Sequence, residues 1–382
     1  MVSFRSLVVC PLAFALAFPC AHAASAGPFQ EREPTDFAAA LLVEHETRTV
    51  LYQYRPNLPR SPASTQKLLL QLVVMEAVAG GRYSLADSVY TSAWASRMGG
   101  SQVYLKEGEV FTLADLMEAI VISSANDACV AVAEHLGGSV EGFVALMNER
   151  ARSLGLSGTE CVNVHGLDDT PGDHRNVSTA ADLAHIAHAL IEYPDILRWS
   201  SVRYKPFRGG DFMLYTTNKL VGKFPDLDGL KTGYTDRAGF CLVATAERRD
   251  MRLVSVVLGA SSEKARDRQT RRLLSWGFNH FVKVPIVEPD EPMGKIALDW
   301  GLQPEVTVVT TETMLAVLTD GQRRRLRREV ELPAELPAPV ARGDSLGILK
   351  ITIGDSLLAR VHLVAADSVG RMSVWEKFIS YF

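Results

Sequence analysis

The chain has 382 residues, 47% of them apolar and 22% charged, the balance of a globular protein long enough for about two domains. Its 40 Lys and Arg against 44 Asp and Glu leave a formal charge of −4, which gives no electrostatic reason to expect nucleic acid as a partner. Beyond the first two dozen residues no segment reaches about 18 uninterrupted apolar residues, so no spanning helix is expected there.

The chain opens with a weak positive n-region supplied by Arg5, an apolar stretch from Leu7 to Phe18, and the small-x-small pattern Ala21-His22-Ala23. Residues 1–23 read as a secretory signal cleaved after Ala23, with an uncleaved anchor as the alternative. Export to the periplasm or cell envelope follows. A lipidated Cys20 fits poorly, because Pro19 stands where a small residue is needed. Cys10 and Cys20 leave with the signal. Cys129, Cys161 and Cys241 remain, an odd number at long spacings, so neither a disulfide framework nor a zinc site is indicated. A single bridge stays open, but Cys129 and Cys241 sit in apolar runs and read as buried thiols.

Strand-like segments run from Ala38 to Glu44 and from Val50 to Tyr54, joined by a polar hairpin turn. Leu68 to Val78 is apolar all round and predicts a buried helix ending at Gly80-Gly81. Thr112-Leu113-Ala114-Asp115 resembles a capping box and opens a helix that stops near Ser123-Ser124. A second helix runs from Asp127 to Gly137-Gly138 and a third from Ser139 to Leu154. Thr159 to Asn176 has no period and reads as a long loop, a kind that is more often functional than accidental. One more helix spans Ala180 to Ile191. Gly229–Thr232, Gly239–Glu247 and Arg252–Ala260 read as consecutive antiparallel strands, and Arg266 to Val282 as a closing helix.

From Pro285 short alternating segments (Val306 to Thr310, Met314 to Leu318, Gly347 to Ile353, Leu358 to Val364) predict a small all-β domain. At the end, Val369, Met372, Trp375, Phe378, Ile379 and Phe382 fall near one helical face, with Arg371, Glu376 and Lys377 opposite. That pattern suits an amphipathic helix on a membrane surface or one docked on its own domain. The expected layout is therefore a signal at 1–23, a catalytic domain at 30–283, a β-rich domain at 284–366 and a tail helix at 367–382. The fold class is α+β, an antiparallel sheet covered by helices plus a small all-β C-terminal domain.

Three motifs occur in order: Ser64-Thr65-Gln66-Lys67 (S-x-x-K), Ser124-Ala125-Asn126 (S-x-N) and Lys231-Thr232-Gly233 (K-T-G). Together they are the signature of penicillin-binding proteins and serine β-lactamases. Singly they are cheap, since Ser261 to Lys264 is a second S-x-x-K. Context separates the two. Ser64 begins a buried helix and Lys67 lies one turn on, on the same face. Ser261 follows a strand in polar sequence and reads as a solvated loop serine. A serine hydroxyl needs a base within reach, and lysine serves when burial and a second cation, here Lys231, lower its pKa. Gly233 leaves room for a ligand at the strand.

With His165-Gly166-Leu167-Asp168 and the stretch from Gly229 to Thr235, these motifs resemble the low-molecular-mass penicillin-binding proteins that are D-alanyl-D-alanine carboxypeptidases, peptidase family S11. The similarity covers roughly Asp36 to Phe281, and the β domain and tail resemble the penicillin-binding protein 5 type. The resemblance implies a hydrolase that removes the terminal D-alanine from peptidoglycan stem pentapeptides and is acylated by β-lactams. Ser64 is then the nucleophile, Lys67 the base, Ser124 the proton relay, and Asn126 the group that orients Lys67 and the substrate amide. Lys231 and Thr232 would hold the terminal carboxylate. The backbone N–H groups of Ser64 and Tyr234 would hold the oxyanion. Arg266 matches a carboxylate-binding arginine of the family, a surface or ion-pair role being the alternative. No cofactor is called for, and a peripheral contact with the inner membrane is the role left to the tail.

Other readings fit less well. His165 and Asp168 suggest part of a Ser-His-Asp triad, but the base role is already filled, so that loop reads as a rim over the site. His185 and His188 stand at a metal-compatible spacing without a Glu or Cys companion and read as structural histidines. A class A β-lactamase needs an E-x-x-L-N loop, and Glu160-Cys161-Val162-Asn163 does not supply it. A crosslink-cutting endopeptidase and a non-catalytic wall-binding or shape protein remain as alternatives.

Overall fold

The structure, a computed structural model, describes residues 36–168 and 175–379. The expected signal at 1–23, the middle of the long loop and Phe382 lie outside the described residues. The first element is a hairpin of β1 (Ala39–Glu44) and β2 (Val50–Tyr54). A turn of 3-10 helix over Ala63–Gln66 then runs into α1 (Lys67–Ala79). A short pair, β3 (Ser88–Tyr90) and β4 (Val110–Thr112), precedes α2 (Leu113–Ser123), α3 (Asn126–Gly137) and α4 (Val140–Ser153). After the long loop come α5 (Ala180–Ile191), α6 (Pro194–Ser200) and a second hairpin, β5 (Tyr204–Phe207) with β6 (Phe212–Tyr215). Three long strands, β7 (Leu227–Thr235), β8 (Gly239–Arg248) and β9 (Met251–Ala260), lead to α7 (Glu263–His280).

The long strands and the first hairpin form one antiparallel sheet in the order β2-β1-β9-β8-β7. This places β7 on an edge. β8 and β9 are buried through their middles, because α5 packs on one face of the sheet and α7 on the other. α1 is buried over most of its surface: Leu68, Leu69, Leu70, Leu72 and Val74 are all fully buried, and only Val73, Glu76, Val78 and Ala79 reach toward solvent, so it is the central helix of the core. Side-chain caps fix the starts of its neighbours. Thr112 and Asp115 make the expected reciprocal capping box on α2. Ser139 caps α4 and Thr179 caps α5.

Some boundaries differ from expectation. α7 starts at Glu263 rather than Arg266, because Ser262 accepts the Ala265 N–H at 3.1 Å and so supplies the cap three residues earlier. It stops at His280, where Phe281 is already extended. The pairs β3–β4 and β5–β6, and helix α6, were not expected. Each is too short to display a period, and tertiary packing defines it.

The C-terminal part begins without a linker. β10 (Phe281–Val287) leaves α7 directly, so the expected boundary between 283 and 284 falls inside a strand. It is followed by β11 (Pro292–Asp299), β12 (Glu305–Val309), β13 (Met314–Thr319), α8 (Asp320–Arg324), β14 (Leu326–Glu331), β15 (Glu335–Pro337), β16 (Ser345–Ile353) and β17 (Ser356–Ala365). β10 pairs with β13, and the other strands form a sheet in the order β14-β16-β17-β12-β11-β15. Ile296, Val308, Leu349, Ile351 and Leu363 lie at the centre of a core that belongs to this part alone. The last helix, α9 (Val374–Ile379), is shorter than the sequence pattern suggested. Val369 is buried in a bridge with Val340, and Met372 donates its N–H to the Trp300 carbonyl at 2.7 Å, so neither joins the helical face. Trp375 and Phe378 do share that face, stacked at 6.0 Å and exposed.

Because Leu69 is fully buried in the first turn of α1, truncation there leaves a cavity that the surrounding helices cannot close. Leu69→Ala should cost about 3 kcal/mol of stability. A lower midpoint in chemical denaturation at an unchanged slope checks this, and an unaltered midpoint would contradict the central placement of α1.

Candidate active site

Lys67 is the first residue of an apolar helix, so its side chain has nowhere polar to go except back over the preceding turn. Its Nζ lies 2.9 Å from Ser64 Oγ, 2.6 Å from Asn126 Oδ1, 3.1 Å from Ser124 Oγ and 3.0 Å from the Ser124 carbonyl. All four contacts are inside the protein, and Lys67 is fully buried. Burial pushes its pKa down to about 8, while the neighbouring Cys129 and Asp127 oppose the fall. The fall from 10.5 to about 8 is worth about 3 kcal/mol in favour of the neutral amine.

The partners of Lys67 are aimed by their backbones. Ser124 caps α2 in the left-handed conformation, φ 63°, which turns both its hydroxyl and its carbonyl toward the lysine. Ala63, just ahead of the serine, is also left-handed at φ 47°. Neither is glycine, and such residues mark a site held in place by its surroundings. Asn126 donates its Nδ2 to the Gly99 carbonyl at 2.8 Å and its backbone N–H to the Ser101 carbonyl at 2.7 Å. Asp127 then accepts from the N–H groups of Val103 and Leu105. The 99–105 segment is thereby stapled around the S-x-N motif.

Lys231 is fully buried as well, and its pKa lies well below the ordinary range. Burial is the first cause, followed by repulsion from Lys67 and, more weakly, from Arg266. Of the two causes expected to lower Lys67, burial and the Lys231 cation, only burial acts on it. In the structure Lys67 falls through burial, and the repulsion within the pair is felt at Lys231. Thr232 Oγ1 donates to Thr217 Oγ1 at 2.6 Å. Gly233 lies on the edge strand, directly against the nucleophile turn. A Cβ there would sit 3.0 Å from Pro62 O, Ser64 N and Thr65 N. The Tyr234 ring is half exposed, packs on Phe240 and donates its hydroxyl to Asp236 at 2.7 Å. Arg266 is buried rather than on the surface and is ion-paired with Asp267 at 2.7 Å.

The long loop forms the third wall. Asn163 Oδ1 accepts from Gly166 N at 2.8 Å and from Asn176 Nδ2 at 2.9 Å, which fixes the loop's fold. The His165 carbonyl lies 3.5 Å from Ser64 Oγ. Gly166, at φ 86°, packs so tightly that a Cβ would stand 2.1 Å from the Ala63 carbonyl. His165 Nδ1 accepts the Leu167 N–H at 3.2 Å, and Asp168 bridges Ser61 and Thr235, so these two side chains hold the rim and form no triad. Among the described residues, Ser64 Oγ meets only Lys67 Nζ and that carbonyl.

The remaining candidates separate from this centre. Ser261 and Lys264 are both exposed, so that second S-x-x-K has a solvated amine. His185 is exposed, whereas His188 is buried with its Nδ1 3.1 Å from His45 Nδ1. The three described cysteines are free and buried, each with its thiol pKa pushed up by burial. Sequence reasoning missed Thr217, the Gly99 and His165 carbonyls, and the close packing of Gly166. The last lies inside the His-Gly-Leu-Asp stretch, where a glycine between polar residues was the available signal. Backbone carbonyls leave no sequence signal.

Residues 29–262 match the peptidase S11 family, described as D-alanyl-D-alanine carboxypeptidase, and residues 281–371 match the penicillin-binding protein 5 C-terminal domain. The chain is 33% identical over 392 aligned residues to the D-alanyl-D-alanine carboxypeptidase DacD of Salmonella typhimurium, spanning 100% of this chain and 99% of that protein. It is similar to the crystal structure of penicillin-binding protein 5 from Haemophilus influenzae, with TM-score 0.76 and 28% identity over 90% of this chain and 100% of that one. It also resembles the ampicillin-bound form of penicillin-binding protein D2 from Listeria monocytogenes, with TM-score 0.59 and 33% identity over 64% of this chain and 98% of that one. By its motifs, its fold and these relatives, the chain belongs to the S11 family of serine-type D-alanyl-D-alanine carboxypeptidases.

Proposed function

We propose that this enzyme removes the terminal D-alanine of peptidoglycan stem pentapeptides through an ester on Ser64. The observation that carries the reading is the buried Lys67 amine 2.9 Å from the Ser64 hydroxyl. With a pKa of about 8, about a tenth of Lys67 is neutral near pH 7, against roughly one in three thousand for lysine in water. The neutral amine accepts the serine proton as Oγ bonds to the penultimate carbonyl carbon. The oxyanion is met by the backbone N–H groups of Ser64 and Tyr234. Collapse breaks the C–N bond, and D-alanine leaves with a proton passed through Ser124. Asn126 keeps Lys67 on line throughout. Water then cleaves the ester by the reverse use of the same groups.

The substrate also sets the protonation of the site. Two buried amines cannot both be charged cheaply. A terminal carboxylate arriving beside Lys231, Thr232 and Arg266 draws the shared proton to Lys231 and leaves Lys67 neutral. β7 presents an open strand edge to the incoming peptide backbone, with Gly233 leaving room for it. β-Lactams, which carry a carboxylate and an acylating carbonyl, enter the same way. A β-lactam's leaving nitrogen stays tethered to the acyl group and blocks the water that cleaves the peptide ester, and no carboxylate stands at Ser64 Oγ among the described residues to activate another, so the penicilloyl ester is long-lived. The intact set of Ser64, Lys67, Ser124 and Lys231 argues against a scaffold that has lost catalysis. We place the enzyme outside the cytoplasm on the strength of residues 1–23. The exposed Trp375 and Phe378 support a peripheral contact of α9 with the membrane surface.

Ser64→Ala should abolish release of D-alanine from a pentapeptide stem. The wild type incubated with penicillin should retain the drug's mass for many turnover times, and rapid hydrolysis of penicillin would sink this reading. Because the depressed pKa makes the active, neutral form appear above it, kcat/KM should rise with pH through about 8. A profile flat from about pH 6 to about pH 9 would remove Lys67 as the base. Trp375→Ser combined with Phe378→Ser should weaken sedimentation with anionic lipid vesicles and leave D-alanine release intact. Equal sedimentation by variant and wild type would exclude the membrane contact.

A further inference from the structure

His45 and His188, which the active site leaves aside, are 143 residues apart in the chain and meet inside the protein. His45 follows β1 in the turn of the first hairpin, and His188 stands in the last turn of α5. Their Nδ1 atoms are 3.1 Å apart, with ring centroids at 5.3 Å. His188 is only 4% exposed, so water does not mediate between them and solvent. Two further contacts end on His45. Its Nε2 lies 3.1 Å from Glu192 Oε1, just past the end of α5. Its Nδ1 lies 3.3 Å from Nη1 of Arg48 in the hairpin turn.

These contacts admit one arrangement of hydrogen. An ionised carboxylate only accepts, so His45 Nε2 carries the hydrogen that faces Glu192. A guanidinium only donates, so His45 Nδ1 is bare. His188 Nδ1 must then carry hydrogen and donate to it, and the neutral pair satisfies all three contacts at once. One added proton fits if it enters at His45 Nδ1 and His188 changes tautomer, an arrangement that expels Arg48. Two added protons fit nowhere, because both Nδ1 atoms would then carry hydrogen across 3.1 Å. The surroundings also disfavour charge. Both histidine pKa values are lowered, first by burial and then by Arg48, and at His188 also by His45 and His185. At His45, Arg252 of β9 adds to the fall, while Glu192 and Glu44 oppose it. Glu44 is already engaged by the N–H and hydroxyl of Thr47, both at 2.7 Å, and Arg252 by Asp228 at 2.7 Å.

We propose that the His45–His188 pair is a proton-sensitive clasp between the first hairpin and the end of α5, closed when both rings are neutral and opened by acid. α5 packs on β1, β9 and α1, so the clasp secures the element that backs the helix carrying Lys67. The native pair holds at most one added proton, whereas the unfolded chain takes up two near the ordinary histidine pKa of about 6.5. The stability that the clasp contributes is therefore present above about pH 6.5 and is lost as pH falls below it. The clasp is independent of the carboxypeptidase reading. It is read from stability, because activity in acid already falls through Lys67.

The test is urea unfolding of the full chain at about pH 6.5 and about pH 5.5, for the wild type and for His188→Gln. The glutamine amide can meet His45 as donor or as acceptor, so in the variant His45 titrates without conflict. Over that pH interval the unfolding constant of the wild type should rise about fivefold more than that of the variant, the excess of one proton taken up on unfolding. An equal rise in the two proteins would overturn the clasp. Should the variant fail to fold, the imidazole nitrogen chemical shifts of the wild type decide. At neutral pH His45 should be the Nε2–H tautomer and His188 the Nδ1–H tautomer, and acid should not bring both rings to the imidazolium form in the folded protein. The opposite tautomers, or two independent titrations near about pH 6.5 in the folded state, would overturn it.

Discussion

The structure is arranged around one amine that is kept from water. Lys67 begins a largely apolar, buried helix, and the protein surrounds its ammonium with oxygen atoms only, two of them from Ser124 and one each from Ser64 and Asn126. Four oxygens are enough for its three N–H bonds, but none of them is charged and burial strips the hydration a full charge needs, which is why its pKa falls. The rest of the site serves that arrangement. The left-handed turn at Ser124 supplies two of the oxygens, and the staple from Asp127 to the 99–105 segment fixes the third through Asn126.

In the proposed reading the second buried amine gives the site its selectivity. Lys231 lies on an edge strand, close enough to Lys67 for the Lys67 charge to disfavour its own. A ligand with a carboxylate relieves the conflict, and one without it does not. A peptide end and a β-lactam share that group together with a carbonyl to be attacked. One geometry therefore accounts for both the substrate and the inhibitor class of the family.

Much of the fold was legible because its long elements keep a clean period. α1, the capping box at Thr112 and Asp115, α5 and the three strands β7 to β9 were recognisable from spacing alone. The short hairpins and α6 were not, because a four-residue strand carries two inward residues and no pattern. In the site, the motif residues that bear functional side chains were visible. Thr217 and the Gly99 and His165 carbonyls were hidden, since their contribution is a place in space that distant segments provide. Arg266 shows a subtler limit: its sequence position allowed a surface role, and only packing against α7's neighbours revealed it as buried. At the C-terminus the alternating apolar residues suggested one long helix, but the backbone pairs of Val369 and Met372 draw that stretch into the β part first.

The packing of Gly166 on Ala63 bears on how the chain matures. The nucleophile turn is held in its left-handed shape by a loop about a hundred residues later, and the Ser64 hydroxyl meets the carbonyl of His165 across a separation of 101 residues. Ser64 and Lys67 come from one turn of chain, yet their alignment waits on contacts of long sequence range, which form late because loop closure must come first. A partly folded molecule with α1 already formed would hold Ser64 and Lys67 as neighbours without a working site. Acylation of Ser64 therefore reports the completed tertiary structure, and a covalent label at that serine counts finished molecules among those still folding.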